Sequence, residues 1–328
     1  MRGPLPAKDG GIAGLSGYMP AIPTPFDQNG NVDEAALGRF CKRQIETGAN
    51  ALVVCGTTGE APTLTTDEHR KIIRVAVKAA AKRVPVIAGA GSNSTEHAIE
   101  LSQQAEAAGA DAILSVVPYY NKPSQAGLCG HFTAIMDKVP LPLILYDVPL
   151  RTACGLGDAT VMQLSGHEQC AGLKDATGDI SRPLRLKPRL KPDFRLFSGD
   201  DATALGFFAH GGDGCISVTS NVAPGLCQAM YLAFTGGQPT LAQYLAIHVA
   251  KLTAALFSET NPVVPKYALS LLGLMSARVR LPLVEAREEI KAEVARLLSQ
   301  MAAECPEGLI AKPIEAPRHV APARAMAN

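Results

Sequence analysis

The sequence lacks an excess of charge of either sign. Its 328 residues include 31 lysines and arginines against 30 aspartates and glutamates, a formal net charge of +1. Proteins that bind nucleic acid or an anionic lipid surface normally carry a basic excess. The longest stretch without Asp, Glu, Lys or Arg, from Gly214 to Ala250, is interrupted by glycine, proline and polar residues, unlike a membrane span. The composition therefore predicts neither nucleic acid nor a membrane as a partner.

The sequence also lacks the cysteine patterns of secreted and metal-binding proteins. None of its eight cysteines forms a CxxC pair, and several lie in apolar runs, such as Cys55 in ALVVC and Cys215 in GCISV. Such cysteines are typical of small buried side chains in a reducing compartment. The N-terminal segment MRGPLPAKDGGIAGLSG has no continuous apolar core like that of a secretory signal. We therefore expect a cytoplasmic protein without disulfide bonds.

Several common catalytic motifs are missing. The seven histidines show no HExxH or other metal-ligand spacing, and the sequence contains no GxSxG or Walker A motif. No GxGxxG follows the first apolar run, which disfavours a dinucleotide-binding domain. We therefore expect no catalytic metal.

Eight short apolar runs recur along the chain. Most are rich in valine, isoleucine and leucine without strict alternation, as is typical of parallel strands that are buried on both faces. Helical patterns lie between them, and the one after Leu64 begins with the capping-box spacing of Thr65 and Glu68. Eight strand-then-helix units predict an α/β fold, a (β/α)8 TIM barrel. The runs begin at Tyr18, Ala51, Val84, Asp111, Pro142, Cys170, Phe194 and Gly214.

The pattern changes after Gly237. Three helical segments follow without strands between them, and the last residues of the chain are rich in proline and alanine. We therefore predict four parts along the chain. They are an N-terminal tail over residues 1–17, a catalytic barrel over 18–236, a small C-terminal helical domain over 237–303 and a flexible tail over 304–328.

Lys174 follows Ala-Gly-Leu at the end of the sixth apolar run. The functional groups of a TIM barrel lie at the C-terminal ends of its strands. Partial burial there disfavours the ammonium form of a lysine and frees its amine to attack a carbonyl group. Most lysines are solvated, however, so position alone leaves open whether Lys174 is a nucleophile or a strand-end lysine that reaches solvent.

Further polar groups are predicted at the same end of the barrel. The loop CGTTGEAPTL presents Thr57 and Thr58 between glycines, either as a cradle for a carboxylate or phosphate or as an ordinary turn. Tyr146 ends the fifth run, where its hydroxyl either exchanges protons or is satisfied within the strand. Arg151 follows, and its guanidinium either grips a carboxylate or makes a surface ion pair.

The loop VVPYYNKPSQ follows the fourth run and carries two adjacent tyrosines. Neighbouring side chains on an extended backbone point in opposite directions. Tyr119 and Tyr120 therefore either divide between the site and a partner subunit or form an aromatic interface patch.

Six segments, taken in order, resemble the motifs of one known family. GTTGE, PYYNKPS, YDVPLRT, GLKDATGD, SGDDATAL and GCISVTSNVAP are similar to motifs of the dihydrodipicolinate synthase family, in the N-acetylneuraminate lyase superfamily, over roughly residues 18–285. The resemblance implies a Schiff-base lyase that condenses pyruvate with L-aspartate 4-semialdehyde to 4-hydroxy-tetrahydrodipicolinate in lysine (diaminopimelate) biosynthesis. It further implies a homotetramer, a dimer of dimers, and no cofactor, because the lysine itself stabilises the carbanion.

The resemblance also implies roles for the residues that match these motifs. Lys174 matches the Schiff-base lysine. Thr57, Tyr146 and Tyr120 match the proton relay, in which Tyr120 comes from a neighbouring subunit. Thr58 matches the residue that binds the pyruvate carboxylate, and Arg151 matches the arginine that binds the carboxylate of aspartate semialdehyde. Gly199 and Ile216 match residues whose carbonyl groups line the pocket near the lysine.

The chain departs from the family's pattern at several positions. Asp147 replaces the usual asparagine, Leu150 a small residue and Ala153 a glycine, all around the loop that meets the second substrate. The histidine and glutamate that help to bind lysine in inhibited members are matched by Thr66 and His97. We therefore do not expect feedback inhibition by lysine.

Two other functions are compatible with parts of the pattern. A related aldolase or dehydratase for a sugar-derived 2-keto acid would share Lys174, Tyr146 and GTTGE but usually lacks an equivalent of Arg151. A non-catalytic barrel used as a scaffold is the other alternative, because fold alone does not establish function. The intact set of lysine, tyrosine and threonine argues against a scaffold.

Overall fold

Eight parallel strands form the centre of the structure, a computed structural model that describes residues 12–305. The strands are β1 (Gly17–Pro20), β2 (Leu52–Val54), β3 (Val86–Gly89), β4 (Ala112–Val116), β5 (Leu143–Asp147), β6 (Cys170–Asp175), β7 (Arg195–Ser198) and β8 (Gly214–Ser217). They pair in the order β1-β8-β7-β6-β5-β4-β3-β2. A parallel bridge between Ala21 and Val53 joins the two ends of the sheet. The strands therefore close into a barrel, and the predicted (β/α)8 TIM barrel is confirmed.

Each strand is apolar on both faces because the two faces meet different cores. Alternate side chains, such as Met19, Val53 and Ile87, pack together inside the barrel. Their neighbours along the chain, such as Leu52 and Val54, belong to a larger cluster between the sheet and the helices. This arrangement explains why the apolar runs show little alternation with polar residues.

Helices follow the strands and cover the outside of the barrel. They are α1 (Glu34–Glu46), α2 (Thr66–Ala80), α3 (Thr95–Ala107), α4 (Gln125–Met136), α5 (Pro149–Thr152), α6 (Asp158–Ser165), α7 (Arg182–Leu186), α8 (Ala204–Ala209), α9 (Pro224–Thr235), α10 (Pro239–Leu256), α11 (Val263–Leu271) and α12 (Glu288–Glu304). The predicted capping box begins α2, where the Thr65 and Glu68 side chains each accept a hydrogen bond from the other's backbone amide. Gly109 follows α3 at a φ of 90°, a conformation that favours glycine.

The last three helices follow α9 without further strands. Helix α10 packs on α9, and α12 packs on α10 and α11. The three predicted helical segments are present, with ends that differ by a few residues. The division into a barrel and a separate helical domain stays a prediction, and nearly all of the tail predicted over 304–328 lies outside the described residues. Within residues 12–305, no helix is long and apolar enough to cross a membrane.

The segment before β1 differs from the tail that was expected over residues 1–17. Ile12–Gly14 forms a short 3-10 helix, and Ile12 and Leu15 are buried with the side chains inside the barrel. The Arg195 guanidinium donates hydrogen bonds to the Ala13 carbonyl. These apolar side chains therefore cover the end of the barrel at which the strands begin. Residues 1–11 lie outside the described part of the chain.

The cysteines behave as small hydrophobic residues. All eight are free, and all except Cys129 and Cys154 are buried. Burial raises the pKa of the Cys41 and Cys170 thiols to about 12. A thiol with so high a pKa is a poor nucleophile, so packing explains these residues, as the sequence predicts.

Candidate active site

A cavity of about 490 Å³ opens at the carboxyl ends of the strands. Its wall includes Thr57 after β2, Tyr146 on β5 and Arg151 on α5. Side chains from distant parts of the sequence meet here because all strands of a parallel barrel end at the same face. The fold thus brings three of the predicted site residues to one cavity.

Lys174 and Tyr146 lie side by side at this end of the barrel. They are partners in the register between β6 and β5, and the Lys174 Nζ lies 4.2 Å from the centroid of the Tyr146 ring. Both side chains are buried, with exposed fractions of 6% and 7%. The ring face attracts positive charge on the nitrogen. The pair is therefore suited to a nitrogen that becomes a positively charged iminium.

Gly199 leaves space for the Lys174 side chain. A Cβ at position 199 would lie 3.1 Å from the Lys174 Cε and 2.8 Å from the Ala176 Cβ. The Gly199 amide donates a hydrogen bond of 2.6 Å to the carbonyl of Asp175, the residue after the lysine. Steric contact thus accounts for a glycine here, while the role of its carbonyl toward a substrate stays a prediction.

The loop after β2 forms a tight turn at residues 56–60, which we call the cradle turn. Thr57 is half-buried and lines the cavity. Thr58 is buried, and its hydroxyl accepts a hydrogen bond of 3.0 Å from the Asn261 side chain. Glu60 ends the turn at a φ of 56°, in the left-handed region. The turn therefore presents one threonine to the cavity and holds the other against the segment before α11.

The tyrosine pair after β4 is divided between two directions. Tyr119 lines the cavity and is 37% exposed. Tyr120 is 89% exposed at a φ of 72°. A single chain therefore does not bring Tyr120 into its own cavity, and its place in the site of a neighbouring subunit stays a prediction.

Arg151 lies on α5, a helix of four residues that directly follows β5. Its side chain is exposed at the cavity wall. A guanidinium in this position is free to form two parallel hydrogen bonds with a carboxylate that enters the cavity. The geometry is therefore compatible with the predicted contact to a second substrate.

Asp201, which was not among the predicted site residues, forms hydrogen bonds with the end of β8 and the residues after it. Ile216 is completely buried inside the barrel, and the predicted contact of its carbonyl with a substrate stays a prediction. Asp201 accepts hydrogen bonds from the Ser217 hydroxyl and from the Val218 and Thr219 amides. Burial raises the pKa of Asp201, and these hydrogen bonds oppose the rise. In the sequence, Asp201 is the second aspartate of the motif SGDDATAL, which is the signal that could have identified it.

Arg182 joins the residues that follow the lysine and the tyrosine. Its buried guanidinium donates hydrogen bonds of 2.8 Å to Asp147 and 3.2 Å to Asp175, which directly follow Tyr146 and Lys174. Burial raises the pKa of Asp147, and the hydrogen bond from Arg182 opposes the rise. No local pattern in the sequence distinguishes Arg182, because an arginine at the start of a short helix carries no sign of burial.

Two histidines on helical patterns occupy positions without metal-ligand geometry. The His69 Nε2 lies 2.8 Å from the Gly89 carbonyl, and burial lowers the pKa of this imidazole. The His97 Nδ1 lies 3.3 Å from a Glu100 carboxylate oxygen on the same helix. In the described part of the chain, no cluster of three or more histidine, cysteine, aspartate or glutamate residues could hold a metal ion.

The fold and the site first define a class: a (β/α)8-barrel enzyme with a buried lysine against a tyrosine ring at its mouth. A family model described as the dihydrodipicolinate synthetase family matches residues 14–301. The chain therefore belongs to the dihydrodipicolinate synthetase family, and the family resemblance found in the sequence is confirmed.

Individual relatives agree with this assignment over nearly the whole of their own lengths. The 4-hydroxy-tetrahydrodipicolinate synthase of Acidiphilium cryptum is 48% identical over 278 residues, 85% of this chain and 95% of that protein. The crystal structure of dihydrodipicolinate synthase from Aquifex aeolicus has a TM-score of 0.86 at 37% identity, covering 92% of this chain and 100% of that one. The chloride-inhibited dihydrodipicolinate synthase from Acinetobacter baumannii, complexed with pyruvate, has a TM-score of 0.84 at 42% identity, covering 87% and 98%.

Proposed function

We propose that this protein is a Schiff-base lyase that condenses pyruvate with L-aspartate 4-semialdehyde to 4-hydroxy-tetrahydrodipicolinate, in lysine biosynthesis. The observation that carries the proposal is the buried Lys174 amine, 4.2 Å from the centroid of the Tyr146 ring at the mouth of the barrel. Relatives with the name 4-hydroxy-tetrahydrodipicolinate synthase support the same reaction. The pyruvate complex of the Acinetobacter baumannii enzyme supports pyruvate as the first substrate.

In the first half of the proposed reaction, the neutral Lys174 amine adds to the C2 ketone of pyruvate. Thr57, Tyr146 and Tyr120 pass protons so that the former ketone oxygen leaves as water and an iminium forms. Thr58 binds the pyruvate carboxylate through its amide and hydroxyl, in a turn whose amides suit an anion. The carbonyls of Gly199 and Ile216 line the pocket near the lysine.

In the second half, the iminium makes a methyl proton of pyruvate acidic, and its loss gives an enamine. The enamine carbon bonds to the aldehyde carbon of the semialdehyde, and the resulting alkoxide takes up a proton. The amine of the semialdehyde then adds to C2 and displaces Lys174, which closes the ring. Arg151 binds the carboxylate of the semialdehyde. No organic cofactor is required because the iminium is the electron sink.

The assembly is part of the proposal. We propose a cytoplasmic homotetramer, a dimer of dimers, in which Tyr120 completes the proton relay of a neighbouring subunit. Two apolar side chains that follow the carboxyl ends of strands support a contact at this face, because Tyr120 is 89% exposed and Leu150 is 96% exposed. Removal of such apolar surface from water by a partner would be favourable.

Reduction of the proposed intermediate tests the function. The protein is incubated with pyruvate, treated with borohydride and analysed by peptide mass spectrometry. We expect a reduced pyruvate adduct on Lys174 and none on Lys266, a second buried lysine, which pairs with Glu60. Absence of an adduct on Lys174 would show that the mechanism is wrong. An adduct without consumption of aspartate semialdehyde would instead favour the related aldolase or dehydratase for a sugar-derived 2-keto acid.

A further inference from the structure

A buried ion pair joins the cradle turn to the C-terminal helices. The Lys266 Nζ, on α11, lies 2.7 Å from the Glu60 Oε1, and the two side chains are 0% and 1% exposed. Glu60 ends the cradle turn, two residues after Thr58. Its second carboxylate oxygen accepts a hydrogen bond of 2.9 Å from the Arg280 amide. Both oxygens of this carboxylate are therefore bound by groups from the C-terminal segment.

Further contacts connect the same two regions. Asn261, just before α11, donates its hydrogen bond to the Thr58 hydroxyl, and both residues are buried. The ring of Phe26 has its centroid 4.1 Å from the Lys266 Nζ and 4.3 Å from the Arg280 Cζ. The charged groups that face Lys266 are therefore Glu60 and Arg280, and Arg280 is itself paired with Glu68 of α2.

The conformation of Glu60 needs such contacts. Its φ of 56° lies in the left-handed region, which a residue with a Cβ rarely adopts. A conformation of this kind persists where surrounding contacts hold it. The ion pair with Lys266 and the hydrogen bond from the Arg280 amide are contacts of this type. The shape of the cradle turn thus depends on groups far from it in the sequence, the Lys266 side chain and the Arg280 amide.

We propose that Lys266 is a positioning residue, which through Glu60 holds the cradle turn in the shape that binds the pyruvate carboxylate. Lys266 itself does not touch the substrate. The inference rests on the proposed function, in which this turn receives pyruvate. It adds that the C-terminal helical segment takes part in substrate binding.

Lys266→Met tests the role of the charge, because methionine fills similar space without it. Burial lowers the pKa of Lys266 from its ordinary value to about 8, and the attraction of Glu60 opposes part of this shift. Well below pH 8, we expect the KM for pyruvate to rise about tenfold with a smaller change in kcat, since ground-state binding is lost. Well above pH 8 Lys266 loses its charge in the unaltered protein too. The ratio of the KM of Lys266→Met to the KM of the unaltered protein should therefore fall toward one as the pH rises. A merely structural role of Lys266 would give a ratio that does not change with pH.

Lys291→Met is the matched control. Lys291 also pairs with glutamates and lies 5.8 Å from the centroid of an aromatic ring, that of Tyr267, but it does not contact the cradle turn. We expect this variant to keep the KM of the unaltered protein. A rise in KM equal to that of Lys266→Met would overturn the proposal, because a general disturbance of the helical segment would then explain both.

A double variant covers the case in which Lys266→Met does not fold. Glu60→Gln with Lys266→Met removes both buried charges, which proteins often tolerate better than one unpaired charge. Well below pH 8 we expect a raised KM for pyruvate, and well above pH 8 we expect the ratio to the KM of the unaltered protein to fall toward one, because that protein has then lost the Lys266 charge as well. An unchanged KM in either folded variant, or a constant ratio in the single variant, contradicts the inference. The proposed function fails separately, if the unaltered protein forms no pyruvate adduct on Lys174.

Discussion

Small residues border the space beside the Lys174 side chain. The missing side chain of Gly199 leaves space beside the Lys174 Cε, and Ala176 borders the same space. The Tyr146 ring covers the amine. Protein interiors packed this closely do not accept an added methyl group without movement of a neighbour. The neighbour with most freedom to move is the lysine, whose position governs the reaction.

Gly199→Ala should slow the formation of the pyruvate adduct by about tenfold or more, because the added methyl group displaces a reacting side chain from its position. Borohydride trapping at short times measures the rate. Gly130→Ala in α4 is the control, since a Cβ there meets nothing within 4 Å. Equal trapping rates in the two variants would show that the space beside Lys174 is not required.

Arg151→Ala should impair the use of aspartate semialdehyde and leave the reaction with pyruvate unchanged. The exposed guanidinium is proposed to bind the carboxylate of aspartate semialdehyde, so its removal should lower kcat/KM for that substrate by about tenfold to a hundredfold. Steady-state kinetics with each substrate varied in turn measures the effect. The pyruvate adduct on Lys174 should form as before. Loss of the adduct would mean that the role assigned to Arg151 is mistaken.

At the scale of elements, β5 and β6 are joined just beyond the residues that they present to the site. Asp147 and Asp175 are register partners that end these strands. The guanidinium of Arg182, at the start of α7, bonds to both. Since each aspartate directly follows a site residue, this contact also holds Tyr146 and Lys174 side by side. A buried charge cluster of this kind is sensitive to the loss of one member.

Arg182→Met should destabilise the fold by about 3–5 kcal/mol, because it leaves the buried carboxylates of Asp147 and Asp175 without their charged partner. Urea unfolding measures the change. The Arg185→Met control removes a guanidinium that is 47% exposed and should cost far less stability, because water screens its ion pairs. Since burial raises the pKa of Asp147, protonation at acid pH removes an unpaired charge, so the deficit of Arg182→Met should shrink as the pH falls. A deficit that grows toward acid pH would contradict this account.

At the scale of the whole molecule, we propose that the site is shared between subunits. One chain supplies Lys174, Tyr146 and Thr57, while Tyr120 projects away from its own cavity with 89% of its surface exposed. An exposed tyrosine on a loop is available for contact with another subunit. The proposed relay therefore requires an oligomer.

Mixing two inactive variants tests the sharing of sites. Lys174→Ala lacks the nucleophile and Tyr120→Phe lacks the relay hydroxyl. A mixed dimer should contain one site with an intact Lys174 from one subunit and an intact Tyr120 from the other, so activity should return after subunits exchange. Assay of the mixture before and after exchange measures this. If Tyr120 acts within its own chain, mixing restores nothing.

The barrel could be predicted from the sequence alone, and the same patterns supplied candidate residues for its mouth. Apolar runs without alternation indicated strands buried on both faces, and the capping box marked the beginning of a helix. Strand-end positions and ordered motifs identified Lys174, Tyr146 and Arg151. These signals are local, because strand burial, helix capping and motif spacing are each written within a short stretch of chain.

Only the tertiary structure decided how the site is supported. Lys266 and Glu60 are 206 residues apart in the sequence, and Asn261 and Thr58 are 203 apart. No local pattern distinguishes a lysine that will pair with a buried glutamate from one that will reach water. Likewise, Ile12 becomes part of the barrel interior although its surroundings in the sequence resemble a tail. Burial is created by elements that meet only when the barrel closes, so the partners of buried charges follow from the fold and not from the segment that carries them.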